Sequence, residues 1–98
     1  MAYDPGAIDA TLAAAVGDDP ALIAELRDAF LVSAHRVVDA FDMANEDDEG
    51  WRTAAWRLKG LAASFGAVRL MALADEASQA RPGDIVTINR IRRAIERL

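Results

Sequence analysis

A one-sided apolar stripe recurs along this chain at steps of three, four and seven between proline and glycine breaks. Ile23, Leu26, Phe30, Val37 and Phe41 follow this rhythm. So do Trp51, Ala54, Leu58, Leu61 and Phe65, then Leu70, Leu73 and Ala77, then Ile88, Ile91, Ile95 and Leu98. Such spacing puts apolar side chains on one face of an α-helix. The strand period of two appears nowhere, so a β-fold has no basis in this pattern. Punctuation agrees with the stripes. Asp4-Pro5 and Asp19-Pro20 each set a capping acid before a proline at the first helical position, and Asp84 follows Pro82-Gly83. The spacing predicts helices over about 5–16, 20–44, 48–65, 67–80 and 84–97. With short connections between them, neighbours should run antiparallel. The expected architecture is all-α, an antiparallel up-and-down four-helix bundle with a short N-terminal helix. No internal repeat or low-complexity segment divides the chain, and residues 1–98 read as one domain.

Composition narrows the chemistry. With 11 basic and 16 acidic residues the net charge is −5, which argues against a general nucleic-acid binder. The absence of cysteine excludes disulfides, thiol catalysis and iron–sulfur clusters. One histidine cannot build a zinc site alone. No apolar run approaches the ~20 residues of a membrane span. The first residues, Met-Ala-Tyr-Asp-Pro, lack a charged start followed by an apolar stretch. The expectation is a cytoplasmic protein without a cofactor or a small-molecule substrate.

The outer face of the third helix stands out. A helix advances ~100° per residue. With Leu58 at the centre of the buried face, Trp56 points ~160° away. Gly60 and Ala63 flank it, and Arg52 and Lys59 lie at the edges of the strip. A large aromatic should therefore face water beside two very small residues. Gly60 costs ~1 kcal/mol relative to alanine inside a helix, so something at this face wants the backbone accessible. Residues 50 to 74 hold Arg52, Arg57, Lys59 and Arg69 and no acid. A locally basic surface on an acidic protein suits an acidic partner. The plainer reading is a solvated face whose tryptophan is covered by a neighbour's long stem.

The segment Ala55-Trp56-Arg57-Leu58-Lys59-Gly60, followed by Phe65-Gly66-Ala67 and Leu70, resembles the signature of histidine phosphotransfer (HPt) domains. That signature reads Ala-His-x-Leu-Lys-Gly, then Gly-Ala-x-x-Leu. Leu58, Lys59, Gly60, Gly66, Ala67 and Leu70 fall in register with it, and the expected bundle fits the family fold from about residue 8 to 98. The resemblance implies a module that passes a phosphoryl group between response-regulator receiver domains. The family's phosphorylated histidine falls at position 56, where this chain has tryptophan. Imidazole offers a lone pair that can attack phosphorus. The indole nitrogen is a donor only, so Trp56 cannot accept phosphate. Lys59, which in the family steadies the phosphoryl oxygens, loses its object. Gly60 keeps its role only if the docking surface survives. The resemblance therefore implies a pseudo-HPt protein that binds a receiver domain or a histidine kinase without phosphate, through Trp56, Lys59, Gly60, Ala63, Arg52 and Arg57. A monomer is expected, with a homodimer joined through Trp56 as the structural alternative.

Other side chains are also candidate sites. His35 should point ~140° from the face centred on Phe30, near Asp28, Asp39 and Asp42. As a relocated phosphoacceptor it would face carboxylates that repel a phosphoryl group. As a surface histidine it could pair with Asp39. Glu46-Asp47-Asp48-Glu49 lacks the alternating ligands and glycine of a calcium loop and reads as a solvated linker entering a helix. Ser33, Ser64 and Ser78 have no histidine partner by spacing. Asp75 and Glu76 are adjacent and should diverge. Trp51 should be core.

Overall fold

The computed structural model describes residues 6–17 and 19–98, with side chains from residue 10 onward. The Asp4-Pro5 cap expected from the sequence lies outside these residues. The described residues form five α-helices and no strand: α1 Gly6–Val16, α2 Pro20–Met43, α3 Asp48–Ser64, α4 Val68–Gln79 and α5 Ile85–Glu96. Each end falls within about one residue of its expected place, because the chain's own punctuation sets it. None of these helices is long and apolar enough to cross a membrane.

The helix ends follow local chemistry. Asp19 has extended backbone and its Oδ1 accepts the N–H groups of Ala21 and Leu22 at 3.1 and 3.2 Å. This satisfies donors that the first turn of α2 would otherwise leave open. Asp84 does the same for α5, accepting from Val86 N–H at 3.1 Å and from the Thr87 hydroxyl at 3.0 Å. Asp47 precedes α3 without a side-chain cap; Asp48 and Glu49 in the first turn oppose the positive end of its dipole instead. At the other end of α3, Gly66 adopts φ +69°. The Gly66 N–H reaches the Ala63 carbonyl and the Ala67 N–H reaches Ala62 at 2.9 Å, which is a Schellman closure. This gives Gly66 and Ala67 a structural reason for their place in the chain. The glycine supplies the left-handed residue and Ala67 is buried.

Packing joins the stripes. α2 lies against α1, α3 and α5, while α4 lies against α3 and α5. The largest fully buried side chains are Trp51, Phe30, Phe41, Leu58, Leu70 and Ile91. Phe41 meets Trp51 edge-on with ring centroids 4.8 Å apart, and Phe30 meets Phe65 at the same distance. Both are favourable aromatic geometries. The Trp51 indole N–H donates to the Ala77 carbonyl at 2.8 Å, tying α3 to α4. Ala54, Ala55 and Ala62 of α3 and Ala74 and Ala77 of α4 are all buried. Leu61, Phe65, Ile23 and Leu26, expected within the core stripes, are only partly buried at its margin.

Candidate functional site

The outer face of α3 borders an open groove of about 780 Å³ between α3 and the C-terminal half of α4. Its floor is small and apolar: Ala55, Gly60 and Ala63 from α3, and Ala74 from α4. Trp56 stands on its edge with 74% of its surface exposed. The orientation follows from the stripe. Leu58, Ala54 and Ala55 are buried, so the helix turns position 56 outward. The expectation of a solvent-facing tryptophan holds, and no neighbour's stem covers it.

A Cβ placed at Gly60 would meet nothing within 4 Å. Packing therefore gives no reason for a glycine there. The Gly60 carbonyl accepts an additional hydrogen bond from the Ser64 hydroxyl at 2.9 Å.

The electrostatics differ from the sequence expectation. Residues 50 to 74 contain no acid, yet the folded surface does. Asp75 on α4 reaches across the groove to Lys59, with Nζ and Oδ1 2.8 Å apart and both side chains about half exposed, at 49% and 57%. Asp48 also lines the groove, opposite in sign to Arg52. Lys59 is thus a paired residue, and the groove carries both signs. Arg57 lies on the other side of Trp56, in a shallow depression with Glu49, Arg52 and Thr53. Arg69 does not belong to this face at all. It sits at the start of α4 with arginines of α5. The four basic residues that are close in sequence therefore divide among three surfaces. Of the expected docking residues, Trp56, Lys59, Gly60, Ala63 and Arg52 share the groove, and Arg57 adjoins it.

The remaining residues resolve simply. His35 is exposed on α2 and lines none of the depressions around Trp56. Among the described residues no ion pair joins it to Asp39 as the spacing allowed. Asp75 and Glu76 do diverge: Asp75 turns to Lys59 on α3, Glu76 to Arg90 on α5 at 3.2 Å. Ser64 and Ser78 spend their hydroxyls on carbonyls of their own helices. Among the described residues no group of three or more His, Asp or Glu could hold a metal ion. Met43 ends α2 and is 87% exposed, while Met71 fills the core margin.

Neither the Trp51–Ala77 hydrogen bond nor the Lys59–Asp75 pair has a signal in the sequence, because both join residues on different helices. Only the alternation of buried and exposed positions on α4 could have put Asp75 at the groove. No protein-family model, no curated protein and no solved structure matches this chain.

Proposed function

We propose that this chain is a pseudo-histidine-phosphotransfer module that binds a response-regulator receiver domain or a histidine kinase without accepting phosphate. The observation that carries this reading is Trp56, 74% exposed at the position of the motif's phosphoacceptor, beside a glycine that packing does not require. Tryptophan is among the residues that most often dominate protein interfaces. An indole standing over a floor of alanine and glycine offers a large apolar anchor and lets a partner's backbone approach. Arg52 and Arg57 flank it and suit an acidic cleft.

The architecture proposed with this function is an antiparallel up-and-down bundle of α2, α3, α4 and α5, with α1 as a short leading helix. Short connections and the sequence of packed pairs from α2 through α5 and back to α2 support it. The module acts in the cytoplasm as a monomer, by binding and not by catalysis. The indole has no lone pair for phosphorus, and the Lys59 ammonium is occupied by Asp75.

The test is direct binding. Unphosphorylated receiver domains and kinase domains from the source organism are titrated against immobilised wild type and Trp56→Ala. The proposal requires at least one to bind wild type and to bind the variant more weakly. Equal binding to both removes Trp56 from the interface. A mass that rises with concentration in sedimentation, and falls back in Trp56→Ala, assigns the face to self-association instead.

A further inference from the structure

A second charged feature lies away from the α3 groove. Arg69 from α4 and Arg90, Arg93 and Arg97 from α5 line a shallow concavity of about 200 Å³, with Ala94 as its remaining lining residue. All four arginines are exposed. Positions 90, 93 and 97 share one helix face by their spacing. Packing of α4 on α5 brings Arg69 to them.

This grouping is unfavourable as it stands. Like charges three and four apart on a helix repel. Only Arg90 has a carboxylate partner, Glu76. Among the described residues the Arg69, Arg93 and Arg97 side chains make no ion pair. Arg92, one residue away, shows the contrasting state: its guanidinium meets Asp42 at 2.6 Å. The negative end of α5 accounts for cations at Arg93 and Arg97. It gives no account of Arg69, which sits in the first turn of α4 at the positive end of that dipole. That turn also lacks a side-chain cap, since Ala67 occupies the N-cap. The chain as a whole has five more acids than bases, so three unpaired guanidinium groups around one concavity are not the product of general basicity.

We propose that this concavity binds a small phosphate-bearing anion of the diphosphate or oligophosphate class. Guanidinium groups form paired hydrogen bonds with phosphate oxygens. At the start of α4 the Val68 N–H is already bonded to the Gly66 carbonyl at 3.0 Å, so recognition falls to the guanidinium groups. No aromatic residue lines the concavity and Ala94 is its one apolar member, so it recognises the charge of the anion and not an organic body attached to it. Cations from two helices favour a ligand with more than one phosphoryl group.

The test uses the whole chain and inorganic pyrophosphate, titrated at constant ionic strength and followed by amide NMR. Saturable shifts are expected at Arg69, Leu70, Arg93 and Arg97, with the Arg52 and Arg57 amides unmoved. Each arginine replaced by glutamine should weaken binding about tenfold. Arg93→Gln/Arg97→Gln is the main variant. Arg69→Gln alone is the second, with circular dichroism checking that both remain helical. Arg52→Gln/Arg57→Gln should bind like wild type. The proposal fails if the shifts do not saturate, if all arginine amides move alike as in ionic screening, or if the folded variants bind as wild type does. Binding to vesicles containing phosphatidylinositol phosphates, with no response to free pyrophosphate, would also overturn it and assign the patch to a membrane surface.

Discussion

Trp51 and Trp56 lie five residues apart on α3 and face opposite environments: Trp51 is 1% exposed and Trp56 is 74% exposed. Five residues turn a helix by ~140° net, enough to carry one indole into the core and the other onto the groove's edge. Trp51 meets Phe41 edge-on and donates to the Ala77 carbonyl. Its N–H is satisfied, so the core gains a large side chain without an orphaned donor. Trp56 has no comparable role in packing. Core packing and the proposed docking are therefore separable on one helix.

This separation predicts opposite outcomes for the same substitution. Trp51→Ala should cost about 3–5 kcal/mol, as large-to-small changes in a packed core do. Trp56→Ala should change stability by no more than about 0.5 kcal/mol. Urea denaturation checks both. Acrylamide quenching of Trp51→Phe and Trp56→Phe separates the two emissions, with the fluorescence from Trp56 the more accessible.

Gly60 should show a trade between stability and binding. Its Cβ position is open, so Gly60→Ala adds helix propensity without a clash. The fold should become about 0.5–1 kcal/mol more stable. A partner that approaches the backbone beside Trp56 should bind less tightly. A higher denaturation midpoint together with weaker partner binding is the expected pair of results.

At Gly83 the same substitution should do the reverse. This residue has φ +84°, and an added Cβ would lie 2.7 Å from the Asn45 carbonyl oxygen. That carbonyl is backbone and cannot swing aside. Gly83→Ala should destabilise by about 1–3 kcal/mol through left-handed strain and crowding between the α4–α5 and α2–α3 connections. Thermal unfolding measures it.

The Lys59–Asp75 pair should matter little for stability. Both partners are about half exposed, and such pairs contribute about 0–1 kcal/mol. Asp75→Asn should leave the unfolding midpoint nearly unchanged. It also frees the Lys59 ammonium and removes a negative charge from the groove, so association with an acidic partner should become faster and more sensitive to salt. Stopped-flow association at two ionic strengths reads this out.

The helices and their ends were legible because they rest on local signals: the apolar rhythm, Asp19-Pro20 and Asp84 after Pro82-Gly83 act within a few residues of one another. The exposure of Trp56 was legible for the same reason, since one helix's geometry fixes it. What crosses between helices was not. The basic run from Arg52 to Arg69 looked like one surface in sequence, but folding brings Asp75 to Lys59 and sends Arg69 to the arginines of α5. Charge along a chain predicts charge on a surface only within one helix face. Leu61 and Phe65 lie at the core's margin because their places in the stripe fall at its edge, where neighbouring helices decide the depth of burial.

In the proposed function the phosphoacceptor position serves as a binding anchor within an otherwise intact docking frame. The decisive measurement is the affinity of the source organism's unphosphorylated receiver domains for wild type, Trp56→Ala and Trp56→His. The same samples are then exposed to receivers carrying an aspartyl phosphate. One receiver should bind wild type, and Trp56→Ala should bind it at least about tenfold more weakly, as loss of an interface anchor should. Only Trp56→His should gain acid-labile phosphate, as the introduced imidazole attacks phosphorus and the receiver's aspartate leaves as carboxylate. If folded wild type binds no receiver or kinase domain, or if Trp56→Ala binds as well as wild type, the proposed function is contradicted.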